Sequence, residues 1–313
     1  MKVLVTGSTG MIGSEFVKQS RAKGHEVFGV ARNSASSRSA AIPDPSLLYC
    51  DILDPDAIAE IIKKVRPDVI AHFAAQAFNG TSWQMETLTH QTNYLGTLNV
   101  LKACHTHAPA AKILLACSSA EYGIVPDDEQ PLKEHRLLRP LTPYGVSKLG
   151  TEALGYQFFI NYGMPIFLPR LFIHVGMGHP PATMIQNFGR QVALIKKDKM
   201  KPEIHVGRMD TARDFVDVRD GVRAMMLLLE KGRAGEPANI CTGIAYSGRQ
   251  VMDMLLEISG VRATIVEDTT LMRPSDETLL LGDNSIITGL GWKQEFSLKD
   301  TLRGVYEDWV GRI

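Results

Sequence analysis

At 313 residues the chain is long enough for one large α/β domain or two smaller ones and for a substantial buried core. Its 34 basic and 34 acidic residues cancel to a formal net charge of zero, which excludes the electrostatic footprint of a nucleic-acid binder. The N-terminus reads as a strand rather than a basic leader, and no apolar run reaches the roughly 18 residues of a membrane span, so a cytoplasmic protein without membrane contact is expected.

Lys2 to Thr6 is apolar and β-branched, the pattern of a short strand buried on both faces. Gly7, Gly10 and Gly13 follow at three-residue spacing, and Ser14-Glu15-Phe16-Val17 opens a helix. Glycine at 7 permits a tight turn, at 10 it lets backbone approach a pyrophosphate, and at 13 it allows close helix–strand packing. The helix start, with Thr9, Met11 and Ile12 between the glycines, offers free N–H groups and a positive dipole end. This stretch predicts a dinucleotide site.

Further strands are expected at His25 to Ala31, Ser46 to Cys50, Asp68 to Phe73, Ala111 to Cys117 and Pro165 to Phe172. Helical periods occupy Ile58 to Val65, Thr92 to His107 and Tyr144 to Tyr162. Alternating strands and helices predict βαβ units, a parallel sheet and a doubly wound α/β fold of the Rossmann type. After Phe172 the regularity breaks: His174 to Thr183, rich in Gly and Pro, reads as a loop. Helices then follow at Arg219 to Lys231, Ser247 to Ser259 and Leu298 to Val310. The division expected is a dinucleotide-binding domain over 1–172 and a mainly substrate-binding part over 173–313, with segments returning to the main sheet. The basic cluster at 196–201 reads as a solvated helix end. Cys50, Cys104, Cys117 and Cys241 stand singly in apolar segments without metal-ligand spacing, so buried thiols and no metal site are expected.

The end of the second strand faces the adenosine ribose. NAD calls for an acid there, and NADP for cations and hydroxyls. Here the strand ends in Ala31-Arg32-Asn33-Ser34, with Ser36, Ser37 and Arg38 behind, which favours NADP over NAD. Asp51, with Ile52 beside it, is expected at the adenine, and Ala74-Ala75 would let the cofactor lie close to the sheet. Tyr144 and Lys148 form Y-x-x-x-K on a helix, one turn apart on one face. The ammonium is expected to draw the phenol pKa down so that Tyr144 shuttles a proton, with Lys148 also on the cofactor side. Ser118, ending the fifth strand, would supply a hydroxyl to the same substrate oxygen.

These features, with Asn93 and the run Ser118-Ser119-Ala120-Glu121-Tyr122-Gly123, resemble the extended short-chain dehydrogenases/reductases over nearly the whole chain. The resemblance implies an enzyme acting on a nucleotide-diphosphate sugar, with Asn93 as a structural helper of the site and a homodimer built through the helices at 92–107 and 144–162. Arg213-Asp214-Phe215 and Arg273-Pro274-Ser275-Asp276 resemble the two family segments whose arginines meet the diphosphate, followed by Gly282-Asp283-Asn284-Ser285. With Gln76, Ser82 and the stretch containing Gln186, Asn187 and Arg190, the chain is most similar to the GDP-mannose 4,6-dehydratases and GDP-6-deoxy-4-keto-mannose reductases.

Between those two activities the turn after Ser118 is the discriminator. The dehydratases carry a Glu where this chain has Ala120, and Glu121 would point to the opposite face if the strand continued. The expected function is therefore NADPH-dependent reduction of the C4 keto group of a GDP-4-keto-6-deoxy sugar. A 4-epimerase with tightly bound NAD is the alternative, and a 4,6-dehydratase or an NADP-sensing regulator is further away. Ser119, Glu121, Asn187, Arg213, Arg273 and Asp276 are expected on the substrate side. So is His174, because the family's Arg-x-Phe-Asn appears here as Arg170-Leu171-Phe172-Ile173.

Overall fold

The computed structural model describes residues 1–32, 46–271 and 278–313. Its main sheet runs in the order β11 (Pro237–Ile240), β7 (Ile166–Leu171), β5 (Lys112–Leu115), β4 (Val69–His72), β1 (Lys2–Thr6), β2 (Glu26–Ala31) and β3 (Leu47–Tyr49). All these neighbours pair in parallel, and the two-residue β6 (Cys117–Ser118) extends the sheet beside β7. The strand order reverses between β1 and β4, and that reversal opens a crevice at the carboxyl ends of the strands.

Period-two alternation sorts the core. Leu4, Ile70, Ile113 and Leu168 face one layer, made by α2 (Pro55–Val65), α5 (Gly96–His107) and α6 (Pro143–Tyr162). Val3, Val5, Ala71 and Phe167 face the other, made by α1 (Met11–Ala22) and α8 (Val218–Lys231). Both faces are covered, and each fully buried side chain such as Ile62 or Ile70 contributes about 1.5–3 kcal/mol.

Local chemistry starts and stops the helices that frame the crevice. Asp54 caps α2 by accepting from the Asp56 and Ala57 amides, with Pro55 next in line, and Arg66 ends it in a left-handed conformation. Thr142 caps α6 through the Gly145 amide, Pro143 fills the first position, and Gly163 at φ 66° terminates it. Asp217 caps α8.

The later part of the chain forms a second small sheet, with β10 (Ala212–Asp217) between β12 (Ala245–Ser247) and β14 (Leu279–Leu280), and β8 (Ile173–Val175) also paired to β10. Helices α7 (Met184–Lys196), α9 (Gly248–Ser259) and α11 (Leu298–Arg312) enclose a separate core around Phe188, Val192, Leu255 and Leu302. β11 returns from this part to the edge of the main sheet.

Three elements depart from the sequence expectation. The fifth strand breaks at Ala116: β5 pairs with both β4 and β7, and beyond the break β6 continues beside β7 in the same register, Cys117 with Arg170 and Ser118 with Leu171. The stretch expected to begin a loop at His174 lies in β8, held by long-range pairing to Phe215–Asp217. The helix expected from Thr92 begins earlier, at Glu86–His90 (α4), and passes through a π-helical turn at Gln91–Leu95 before α5.

Candidate active site

The glycine loop crosses the top of β1, where its shape is sterically enforced. Gly7 adopts φ +69°, and a Cβ there would stand 2.7 Å from the Ala74 amide nitrogen. A Cβ on Gly13 would collide with the Gly7 carbonyl oxygen, whereas one on Gly10 would meet that oxygen at 3.3 Å. Gly7 and Gly13 thus shape the turn, and Gly10 leaves its outer surface open. α1 starts at Gly10 without a side-chain cap, so its first amides point into the crevice at the positive end of the helix. Such a cradle fits a pyrophosphate.

Around that cradle, Thr9 is exposed and Met11 and Ile12 are half-buried. Met11 packs toward Gly176 in the loop after β8, and Ile12 packs on the α8 side of the sheet. Ala74 and Ala75 are half-buried after β4, and the Thr6 hydroxyl takes the Ala74 amide at 3.3 Å. Asp51 is exposed at the end of β3 and accepts the Leu53 amide at 2.9 Å. Ile52, expected at the cofactor, instead buries its side chain against Gly96 of α5. Ala31 is buried and Arg32 exposed at the end of β2. Asn33, Ser34, Ser36, Ser37 and Arg38 lie outside the described residues, as do Arg273 and Asp276.

Ser118 ends β6 and caps a 3-10 turn at Ser119–Glu121, its hydroxyl accepting the Ala120 amide at 3.2 Å. Tyr144 and Lys148 share the α6 face turned toward it, with Lys148 Nζ 5.9 Å from the Tyr144 ring centre. Lys148 is buried and donates to the Ala116 carbonyl at 2.8 Å, a carbonyl freed where β5 breaks. Burial lowers the Lys148 pKa. The expected lowering of the Tyr144 pKa by Lys148 is outweighed: burial pushes the phenol up to about 12, against the hydrogen bond with Ser118. Tyr144 is therefore a neutral phenol at ordinary pH, a proton donor.

Asn93 sits in the π-helical turn, a geometry that displaces backbone carbonyls from the ordinary ladder. Its side chain clamps the Gln76 backbone, accepting the amide at 2.7 Å and donating to the carbonyl at 3.1 Å. The same Nδ2 donates to Ser147 on α6 at 2.8 Å, so one amide ties the loop after β4 to the Tyr/Lys helix.

On the substrate side the structure brings some residues forward and turns others inward. Gln76 is half-buried beside Met85, and Ser119 is buried in the 3-10 turn. Ser82 is buried and spends its proton on the Asn79 carbonyl at 2.7 Å. Asn187 is half-buried in the first turn of α7. Arg213 lies on β10 opposite Tyr246, with the neighbouring Asp214 fully buried and accepting the Thr242 and Gly243 amides at 2.9 Å. His174 is a correction: it is half-buried on β8, where its Nδ1 contacts the Phe172 carbonyl at 2.8 Å and its ring is packed on Gly221 of α8. Glu121 is another. Because the chain turns into a 3-10 helix after Ser118, strand alternation does not apply; Glu121 is 0% exposed and accepts the Ser118 amide at 2.7 Å.

Sequence reading missed Glu152 and gave Arg170 no role at the site. Arg170 on β7 grips Glu152 of α6 through two hydrogen bonds of 2.8 and 2.6 Å, directly behind Ser118. The signal available was Glu152 lying four residues after Lys148, on the same helix face.

A family model described as GDP-mannose 4,6 dehydratase matches residues 4–305. The chain is 31% identical over 313 residues to a GDP-6-deoxy-D-mannose reductase of Pseudomonas aeruginosa, covering 100% of this chain and 98% of that one. The solved structure of RMD from Pseudomonas aeruginosa, complexed with NADPH, aligns over 100% of both chains with a TM-score of 0.87 and 30% identity. The UDP-glucose 4-epimerase of Thermotoga maritima, solved with UDP-glucose, aligns with a TM-score of 0.90 and 27% identity over 100% of this chain and 99% of that one. Glycine cradle, Ser118 turn and Tyr144/Lys148 helix all stand within the matched span, and the chain belongs to the GDP-mannose 4,6-dehydratase family of extended short-chain dehydrogenases/reductases.

Proposed function

We propose that this protein reduces the C4 keto group of a GDP-linked 4-keto-6-deoxy sugar with NADPH, giving GDP-6-deoxy-D-mannose or its C4 epimer. The observation that supports reduction over dehydration is the turn after Ser118. An elimination across C5–C6 needs an acid/base exposed beside the Ser/Tyr pair. The turn offers Ala120 there, and its one carboxylate, Glu121, is fully buried and occupied with the Ser118 amide. Identity to the Pseudomonas aeruginosa GDP-6-deoxy-D-mannose reductase supports the same reading.

A bound dihydronicotinamide is the hydride source. Tyr144, held neutral by its burial, donates its proton to the oxygen that becomes the C4 hydroxyl. Ser118 hydrogen-bonds the same oxygen, and Tyr144 regains its proton from solvent. Lys148, buried one turn from Tyr144, would hold positive charge beside the phenolate so formed and would bind the nicotinamide ribose. Gly7, Gly10 and Gly13 cradle the pyrophosphate, Asp51 takes the adenine, and Ala31 and Arg32 favour a 2′-phosphate over a bare ribose. Arg213, with Arg273 and Asp276, takes the sugar nucleotide's diphosphate side, and residues 173–313 supply most of that half of the cleft.

The exposed apolar side chains Val146, Tyr156, Ile160 and Tyr162 on α6 support a homodimer through α5 and α6. Four free, buried cysteines suit a cytoplasmic setting. Among the described residues no helix is long and apolar enough to cross a membrane.

The test is nicotinamide absorbance over time with purified protein, NADPH and GDP-4-keto-6-deoxymannose. Rapid loss is expected, and NMR of the product assigns the C4 configuration. The likeness to the UDP-glucose 4-epimerase favours the second reading, an epimerase. No loss of NADPH, together with NAD bound tightly to the protein as isolated, would establish it.

A further inference from the structure

Behind Ser118 lies a buried cluster drawn from four elements: Glu121 at the end of the 3-10 turn, Glu152 on α6, Arg170 on β7 and Cys117 on β6. One Glu121 oxygen accepts the Ser118 amide at 2.7 Å. The other is fully enclosed, has no hydrogen-bond partner, and stands 3.9 Å from Arg170 Nε. Arg170 is already committed. It forks onto Glu152 at 2.8 and 2.6 Å, and its remaining terminal nitrogen donates to the Tyr122 hydroxyl at 3.0 Å and the Glu134 carbonyl at 2.8 Å. Oxygens of Glu121 and Glu152 lie within 4.8 Å of each other and of the Cys117 sulfur.

One guanidinium therefore serves two acids, Glu121 fully enclosed and Glu152 half-buried. With the guanidinium forked onto Glu152, an ionised Glu121 would keep one enclosed oxygen without a hydrogen-bond donor, which costs several kcal/mol. The bidentate grip assigns the charge to Glu152. Burial, then the neighbouring Glu152, holds the Glu121 carboxyl well above the usual range, with Arg170 opposing weakly. Cys117 is likewise pushed up by burial and by both acids, and stays a thiol. Lys148 and Tyr144 face the cluster from α6. Glu121 is then a neutral acid whose two oxygens have different jobs: the carbonyl oxygen accepts the Ser118 N–H, and the hydroxyl is left to donate to Glu152.

We infer that Glu121 is a positioning residue of the active site, a buried acid that holds the Ser118 amide with one oxygen and engages Glu152 of the Tyr144/Lys148 helix with the other. Ser118 and Tyr144 belong to different elements, and Glu121 is the strut between those elements. Its neutrality also spares Tyr144 a nearby anion, since a charged Glu121 raises the phenol pKa. The inference rests on the reading that Ser118 and Tyr144 act on one substrate oxygen.

Glu121→Gln and Glu121→Met separate this role from the alternatives. Gln keeps one acceptor and one donor, and Met keeps the volume while removing both. The expected result for Gln is kcat within about twofold of the parent and a superimposable pH profile; for Met, kcat falls about tenfold or more with NADPH binding unchanged. A Met variant with full kcat, or a Gln variant falling as far as Met, overturns the inference. Should the Met variant not fold, the Gln pH profile decides, and a displaced profile overturns it. Infrared spectroscopy gives a readout independent of turnover: the parent shows a protonated-carboxyl C=O band that Gln removes, and its absence from the parent overturns the neutral acid. Tyr144→Phe run in parallel isolates the underlying reading, because surviving turnover there defeats the Ser118/Tyr144 assignment whatever Glu121 does.

Discussion

The Thr97 hydroxyl donates to the Asn93 carbonyl at 2.6 Å, and that bond decides the tautomer of His72. With its proton spent, Thr97 can only accept from His72 Nε2, 3.0 Å away, so the ring carries its proton on Nε2. Nδ1 then accepts from the Thr6 hydroxyl at 2.7 Å, and Thr6 in turn accepts the Ala74 amide at 3.3 Å. A neutral imidazole thus links the glycine-loop strand to the π-helical turn. A second proton on the ring would point Nδ1–H at a hydroxyl hydrogen and break the chain.

That arrangement predicts acid sensitivity. Burial lowers the His72 pKa to about 3 and the His174 pKa to about 4 from the ordinary 6.5. A base whose folded pKa is depressed contributes stability that is complete above 6.5 and lost as pH falls toward the folded value. Between pH 6 and pH 4 stability should fall by about 1.4 kcal/mol per pH unit for each of the two histidines. Denaturant unfolding measured across that range checks it, with His72→Gln expected to flatten the slope. An unchanged slope in that variant would show that His72 does not drive the loss.

Asn93→Ala should weaken both the fold and the chemistry. It removes the two bonds that hold the Gln76 backbone and the bond to Ser147, leaving their partners unmatched in a buried place. A loss of about 2–4 kcal/mol in unfolding free energy is expected, with kcat/KM reduced about tenfold as the loop after β4 loses its register against α6. Thermal unfolding and steady-state kinetics on one preparation measure both. A variant with parental Tm would mean the clamp is mechanically idle.

Much of this was legible along the chain, and the limits have a physical cause. β1, β4 and β7 announce themselves because strands covered on both faces must be apolar throughout, and the glycine spacing follows from backbone sterics at Gly7 and Gly13. Tyr144 and Lys148 are one helical turn apart in any helix. What escaped sequence reading depends on pairing between distant segments: β8 exists because Phe215–Asp217 lies alongside it, and the break at Ala116 falls where the pairing with β4 ends at Leu115 and the pairing with β7 runs on. His174 and Glu121 are polar residues next to the site in sequence, and the direction each side chain takes is set by those same pairings. Arg170 and Glu152 are 18 residues apart on different elements, so their bond had no local periodicity to betray it.

The three loop glycines should separate by function. Gly13→Ala forces a methyl into the Gly7 carbonyl, and Gly7→Ala adds strain at φ +69° and a clash with Ala74, so both should lower Tm and NADPH affinity together. At Gly10 a Cβ meets protein only at 3.3 Å, so Gly10→Ala should keep a near-parental Tm while weakening NADPH about tenfold through contact with the pyrophosphate. Fluorescence titration with NADPH beside thermal unfolding makes the comparison. Equal affinity in Gly10→Ala and the parent would move the phosphates away from this loop.

Tyr144→Phe removes the proton donor and little else. The ring stays packed and Lys148 keeps its bond to Ala116, so the fold should hold. Loss of one positioned general acid predicts a fall in kcat of about 10²–10⁴-fold, with the NADPH dissociation constant within about threefold of the parent. Ser118→Ala should cost less, because the hydroxyl stabilises the oxygen without giving up its proton, and about 10–10²-fold is expected. Lys148→Met should reduce both kcat and NADPH binding if the proposed site holds, since the ammonium lies beside the Tyr144 ring and its removal takes the side-chain donor from the Ala116 carbonyl. Single-turnover absorbance with saturating NADPH separates chemistry from release in all three. Were Tyr144→Phe to keep more than about a tenth of parental kcat, proton donation would have to come from elsewhere, and Ser118 would become the group to test.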